Sequence, residues 1–225
     1  MSHQIKAVLF DLDGTLLDTA QDFHESLNDL RAEEKLAPLP FETVRAQVSH
    51  GGHALVRLSF GTLDPDAHKA MWMRLLNIYR QRLARHTKLF EGGDEMLQEI
   101  ERRGLAWGIV TNKPGWLTAP LLVEVKLNAR AKAVVSGDTL PERKPHPSPL
   151  LHAAKTLSVA PGDCVFVGDA ERDCQAAKAA GMYSLIAGFG YIGDEDHADE
   201  WFQHGWLHTP LDLLAWLDKP RNGAA

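Results

Sequence analysis

Asp11-Leu12-Asp13-Gly14-Thr15 sets two carboxylates and a hydroxyl side by side, directly after the apolar run Ala7-Val8-Leu9-Phe10. Carboxylates so placed can hold a cation, attack an electrophile or move a proton; a plain Asp/Gly turn after a strand uses the same residue types. Three more clusters share the form. Gly108-Ile109-Val110 leads into Thr111-Asn112-Lys113, and Ala133-Val134-Val135 leads into Ser136-Gly137-Asp138 with Lys144 downstream. Cys164-Val165-Phe166-Val167 leads into Gly168-Asp169, with Asp173 further on. If Asp11, Asp13, Asp169 and Asp173 share one crevice, they repel unless a cation neutralises them. Hard carboxylate oxygens select Mg²⁺, with Asp11 and Asp169 as direct ligands. Asp173 shares a face with Asp169 if the intervening turn is helical, and then supports the ligands; alternatively it is a helix-start charge complementing the dipole.

The elements implied by the pattern would bring these residues together. Each apolar run of strand length, bounded by turn formers, reads as a buried strand, and helix-like segments lie between the runs. Strand alternating with helix predicts parallel βαβ units, hence an α/β fold with a Rossmann-like parallel sheet. Parallel strands put their carboxyl ends on one edge, where open α/β sheets bind ligands. Gly14 would let the backbone turn tightly beneath such a ligand.

Residues 17–87 break the alternation. Phe23, Leu27 and Leu30 carry a helical spacing over Ala20 to Glu34, and Phe41, Val44 and Val48 begin a second helix. Gly51-Gly52 interrupts it, Ala54 to Phe60 forms a third, and Asp64-Pro65 opens a long fourth lined by Met71, Leu75, Leu76, Ile78 and Tyr79. Four helices without a strand predict an inserted helical lobe at 17–87, with the α/β core formed by 1–16 and 88–225. Within that core, helices are expected at Asp94 to Arg103, Pro114 to Val125, Pro147 to Leu157, Glu171 to Ala180 and Pro210 to Leu217. Gly104 and Gly181 act as stops. Met182 to Ala187 reads as a strand, Trp201, Trp206 and Trp216 as packing anchors, and Arg221 to Ala225 as a loose end.

The four clusters, in order, resemble the four motifs of the haloacid dehalogenase superfamily of phosphohydrolases: Asp11-x-Asp13-x-Thr15, Thr111, Lys144 and Gly168-Asp169-x-x-x-Asp173. Val110-Thr111-Asn112-Lys113-Pro114, Arg143-Lys144-Pro145 and Phe166-Val167-Gly168-Asp169 are similar to the phosphoglycolate phosphatase branch, to which N-acetylmuramic acid 6-phosphate phosphatases are close. The resemblance implies that the insertion is a helical cap and that Asp11 is a nucleophile forming an aspartyl-phosphate. It adds the backbone carbonyl of Asp13 as a third metal ligand and makes the Asp13 side chain the general acid and base. Thr111 donates to the phosphoryl oxygens, and Lys144 holds Asp11 and the phosphate. An aspartate at position 13 points to phosphatase or phosphomutase chemistry, because the dehalogenases lack it and the ion-pumping members carry lysine there.

Substrate contacts are expected from Thr15, Asn112 and Lys113 on the core and from His50, Gly51, Gly52 and Arg57 on the cap. Closure of a lobe leaves a small cavity, so the partner is a small phosphorylated acid or sugar. 2-Phosphoglycolate comes first, and N-acetylmuramic acid 6-phosphate is the alternative; a sugar phosphomutase is a further one. A silent binding module should have lost part of the carboxylate set, which here is whole.

Composition fits this reading. The 225 residues, 44% hydrophobic and 24% charged, can bury a real core. A net charge of −6 disfavours nucleic-acid or anionic-membrane surfaces, so an anionic substrate needs local positive charge. Cys164 and Cys174 match no zinc or redox spacing and read as small core residues in a reducing compartment. No signal peptide or membrane span is evident, which predicts a cytoplasmic location; a monomer or homodimer is expected.

Overall fold

The run Ala7–Phe10 forms strand β1, and every residue of it is buried. The computed structural model, which describes residues 4–219, places β1 inside a six-stranded sheet. The remaining strands are β2 (Leu17–Asp18), β3 (Lys88–Leu89), β4 (Ala106–Val110), β5 (Ala133–Val135), β6 (Cys164–Gly168), β7 (Tyr183–Ala187) and β8 (Gly205–Leu207). The sheet runs β5-β4-β1-β6-β7-β8, and each neighbouring pair is parallel. Strands covered on both faces read as continuous apolar runs, which is why the sequence shows no alternation there.

Four helices lie between β2 and β3: α1 (Ala20–Glu33), α2 (Phe41–Val48), α3 (Gly52–Phe60) and α4 (Pro65–Gln81). The others are α5 (Gly93–Arg102), α6 (Gly115–Glu124), α7 (Ser148–Thr156), α8 (Glu171–Ala180) and α9 (Asp212–Leu217). Successive strand residues point to opposite faces. Val8 and Phe10 pack with Met96 and Ile100 of α5, Leu121 of α6 and Trp216 of α9. Ala7 and Leu9 pack on the other side with Leu150 of α7 and Ala176 and Ala177 of α8, where small side chains permit a close approach.

The helices between β2 and β3 bury Phe23, Leu27, Val44, Leu55, Leu75 and Tyr79 in a cluster that also takes in Leu117 of α6 and Tyr191. Its apolar interior is therefore continuous with the sheet portion. Two polar ties bind the entry and exit of this segment. Buried Asp22 accepts from His86 N (3.0 Å), Thr87 N (3.1 Å) and Thr87 Oγ1 (2.6 Å). The Tyr191 hydroxyl accepts from Thr19 N (2.6 Å) and Ala20 N (2.9 Å) and donates to Asp18 Oδ1 (2.6 Å).

Several details differ from the sequence expectation. β2 pairs antiparallel with β3, and β8 extends the main sheet; both are too short to carry a periodic signal. Helix α3 begins at Gly52 rather than Ala54, because Gly51, at φ +84°, makes the turn by itself. Helix α9 starts at Asp212 rather than Pro210. The expected stops hold, with Gly104 at φ +71° and Gly181 at φ +68°, and Asp64 caps α4 by accepting from Asp66 N and Ala67 N. Trp201 packs with Cys174 and Ile186, and Trp216 meets Tyr183 edge to face. Both cysteines are buried and free, and burial pushes both thiols up to about 12. Among the described residues no helix is long and apolar enough to cross a membrane. The segment Arg221 to Ala225 lies outside the described residues.

Candidate active site

Asp11 follows β1, Thr111 follows β4 and Asp169 follows β6. These three strands are neighbours, so the parallel register alone sets the residues along one edge. Lys144 arrives from the loop after β5. The Asn112 side chain clasps that loop: its Nδ2 donates to Lys144 O (2.9 Å), and its Oδ1 accepts from Lys144 N (3.1 Å). The Lys144 ammonium, fully buried, lies 3.0 Å from Asp11 Oδ1 and 2.8 Å from Asp173 Oδ1.

Asp11, Asp169 and Asp173 each offer an oxygen, all within 4.8 Å of one another. Asp169 is the most heavily supported. Its Oδ1 accepts from Thr15 Oγ1 (3.1 Å), and its Oδ2 accepts from Tyr191 N (3.0 Å) and from the Ser49 hydroxyl. Burial, with Asp11 and Asp173 nearby, pushes the Asp169 carboxyl up to about 7. Burial also pushes Asp173 up, against the pull of Lys144. Three crowded carboxylates that Lys144 and the nearby Arg172 do not fully neutralise are the chemistry of a hard-cation site, and the donor set fits a divalent metal. Asp173 also caps α8 by accepting from Ala170 N (3.1 Å), as expected of a helix-start carboxylate.

Glycines make this crowding possible. Gly14 sits at φ +82°, and a Cβ there would lie 2.1 Å from Asp169 Oδ2. A Cβ on Gly168 would meet the Asp173 side chain at 2.5 Å.

The Asp13 side chain stands apart from the triad. Its Oδ1 accepts from Thr19 Oγ1 (2.8 Å) and from Lys113 Nζ (2.8 Å).

Over this edge lies a cavity of about 420 Å³, within the range for small-molecule sites. Asp11, Asp13 and Thr111 line its polar side; Phe23, Trp72 and Leu76 come from α1 and α4, and Trp116 and Leu117 from α6. Of the expected substrate contacts, His50, Gly51, Gly52, Asn112 and Lys113 line it. Thr15 instead supports Asp169, and Arg57 lines outer grooves with His68 and Gln47. The His50 ring reaches Asp196 Oδ1 at 3.3 Å.

Four contributors were not anticipated. Ser49, which ends α2, reaches across to Asp169. Tyr191 supports Asp169 through its backbone and the entry to α1 through its hydroxyl. Arg172 lines the cavity and donates to Ser49 O; burial opposes its charge, but Asp173, Asp11, Asp169 and Asp13 outweigh that and hold its pKa up. His53 lines the cavity stacked on Trp72 (4.5 Å between centroids), and burial together with His68 pushes its pKa down. Arg172 and Ser49 each adjoin a residue singled out from sequence, Asp173 and His50, and adjacency was the only available signal.

An acidic pocket thus lies on the carboxyl edge of a parallel α/β sheet, roofed by helices inserted after the first strand, and its three aspartates fit a metal ion. The chain belongs to the haloacid dehalogenase-like hydrolases, whose family pattern matches residues 8–187. The phosphoglycolate phosphatase of Xanthomonas campestris pv. campestris (strain 8004) is 45% identical over 192 residues, covering 85% of this chain and 87% of its own. The N-acetylmuramic acid 6-phosphate phosphatase of Pseudomonas putida is 37% identical over 217 residues, covering 96% and 97%. A crystal structure of a predicted phosphoglycolate phosphatase from Haemophilus somnus 129PT matches with a TM-score of 0.82 at 25% identity, covering 95% of this chain and 98% of that one.

Proposed function

We propose that this protein is a Mg²⁺-dependent phosphomonoesterase that works through an aspartyl-phosphate on Asp11. The observation that carries this reading is the convergence of Asp11, Asp169 and Asp173 within 4.8 Å, with Lys144 buried against two of them. Asp11, Asp169, Asp173 and the backbone carbonyl of Asp13 would hold the metal, which supplies neutralisation of the phosphoryl charge when bound.

The chain's own residues do the rest. Lys144 orients the Asp11 carboxylate and adds positive charge beside the transferring group. Asp11 attacks phosphorus, forming one P–O bond as the bond to the leaving oxygen breaks. Asp13 protonates that oxygen, then takes a proton from the water that attacks the phosphorylated Asp11 and releases inorganic phosphate. Thr111 donates to the phosphoryl oxygens. Residues 17–87 act as a cap over a core of 1–16 and 88–225, excluding water and reading the leaving group. The two buried thiols support a reducing, cytoplasmic location.

2-Phosphoglycolate is the first substrate, in line with relatives of that name. One observation favours the second, N-acetylmuramic acid 6-phosphate. A cavity of about 420 Å³ walled by Trp72 and Trp116 has more room and more apolar surface than a two-carbon acid can fill. Phosphate release from both compounds, each with Mg²⁺, with chelator and with Asp11→Asn, tests the proposal. Metal-dependent turnover that the variant abolishes is expected, and the ratio of kcat/KM values ranks the two substrates. Turnover retained in Asp11→Asn would overturn the mechanism.

A further inference from the structure

Lys113 lines the substrate cavity, yet its ammonium is engaged elsewhere. Its Nζ lies 2.8 Å from Asp13 Oδ1 and 3.0 Å from the Tyr79 hydroxyl. It also sits 4.7 Å from the Phe23 ring centroid and 4.3 Å from that of Tyr79. These two rings stack on each other at 3.9 Å. The Lys113 side chain is 3% exposed, so this aromatic pocket confines it. The Thr19 hydroxyl, on a fully buried residue, donates to the same Oδ1 at 2.8 Å.

A carboxyl oxygen has two lone-pair directions, and here two donors fill both on Oδ1. A proton on Oδ1 would have to displace one of them. We propose that Lys113 is a positioning residue for the acid–base step: with Thr19 it fixes Oδ1 as an acceptor, so that Asp13 exchanges its proton through Oδ2 alone. In the first half-reaction the Oδ2 proton goes to the leaving oxygen as its bond to phosphorus breaks. In the second, Oδ2 takes a proton from water as the water oxygen bonds to phosphorus and the Asp11–phosphorus link breaks. Phe23 belongs to α1 and Tyr79 to α4, so the anchor that orients the acid is built by the inserted helices. This inference rests on Asp13 being the general acid and base.

The test compares kcat/KM for two leaving groups, because that quantity reports events up to departure of the first product. One substrate is the alkyl phosphate that the wild type turns over faster, 2-phosphoglycolate or N-acetylmuramic acid 6-phosphate. The other is 4-nitrophenyl phosphate, whose leaving group departs without a proton. Lys113→Met should lose about 100-fold or more on the alkyl ester and less than about fivefold on the nitrophenyl ester, given what a positioned acid contributes. Thr19→Val should show the same asymmetry, and it carries the test if Lys113→Met does not fold. Equal losses on both esters would mean that Lys113 acts on the phosphoryl group or on the fold, and would overturn the inference; so would no loss on either. Wild-type turnover that persists in Asp11→Asn would instead overturn the Asp11 mechanism on which the inference rests.

Discussion

Ser49, at the end of α2, donates its hydroxyl proton to Asp169 Oδ2, linking the inserted helices directly to the acidic triad. A donor on a ligating carboxylate fixes its orientation, and loss of such a partner typically costs 10–100-fold in metal affinity. Ser49→Ala should therefore weaken Mg²⁺ binding by roughly tenfold or more, measured by titration calorimetry. An unchanged Kd would show that the contact does not orient Asp169.

Gly14→Ala places a methyl group where there is no room, 2.1 Å from Asp169 Oδ2, on a backbone at φ +82°. The left-handed conformation alone costs about 1–2 kcal/mol for a residue with a Cβ. Urea unfolding should show at least that loss, together with weaker metal binding. Stability equal to wild type would contradict the geometry.

Tyr191→Phe removes the hydroxyl that accepts from Thr19 N and Ala20 N. Thr19 N would lose this partner while Ala20 N keeps Asp18 Oδ1 at 3.3 Å, so stability should fall by about 1–3 kcal/mol. A thermal melt that matches wild type would show that the tie at the base of α1 contributes nothing.

The pH dependence of the metal-free protein should follow Asp169. Its carboxyl rises from an ordinary 3.8 to about 7 on folding. The folded chain therefore keeps a proton that the unfolded chain releases, and metal-free stability falls as pH rises from about 4 to about 7. A divalent cation competes with that proton for the same oxygens. Stabilisation by Mg²⁺ should thus be larger near about pH 8 than near about pH 5.5. Equal shifts in Tm at the two values would contradict the raised carboxyl.

The acidic edge was legible in the sequence because Asp11, Thr111 and Asp169 each follow an apolar run, and a parallel sheet converts that local pattern into proximity. Asp11, Thr111 and Asp169 needed nothing else. Lys144 needed the Asn112 clasp, a contact between segments far apart in sequence that no local pattern records. Lys113, expected as a substrate contact, lines the cavity, but its pairing with Asp13 could not be read from sequence, because the aromatic pair that confines it comes from α1 and α4. Tyr191 was invisible for the same reason. Its ring completes the core of the inserted helices although it follows β7. On those helices, apolar periodicity located the elements, but which exposed residues face the cavity depends on how the helices sit over the sheet. Hence His53 and Trp72 line the cavity while Arg57 does not.

Asp11 is the residue proposed to carry the phosphoryl group. Asp13→Asn, which lacks the base for the second half-reaction, should accumulate the intermediate when fed acetyl phosphate with Mg²⁺, because acetate leaves without needing an acid. Acid quenching and peptide mapping should then find the phosphoryl group on the peptide containing Asp11, and the Asp11→Asn/Asp13→Asn double variant should carry none. Phosphorylation of another residue, or an equal yield in the double variant, would contradict the account.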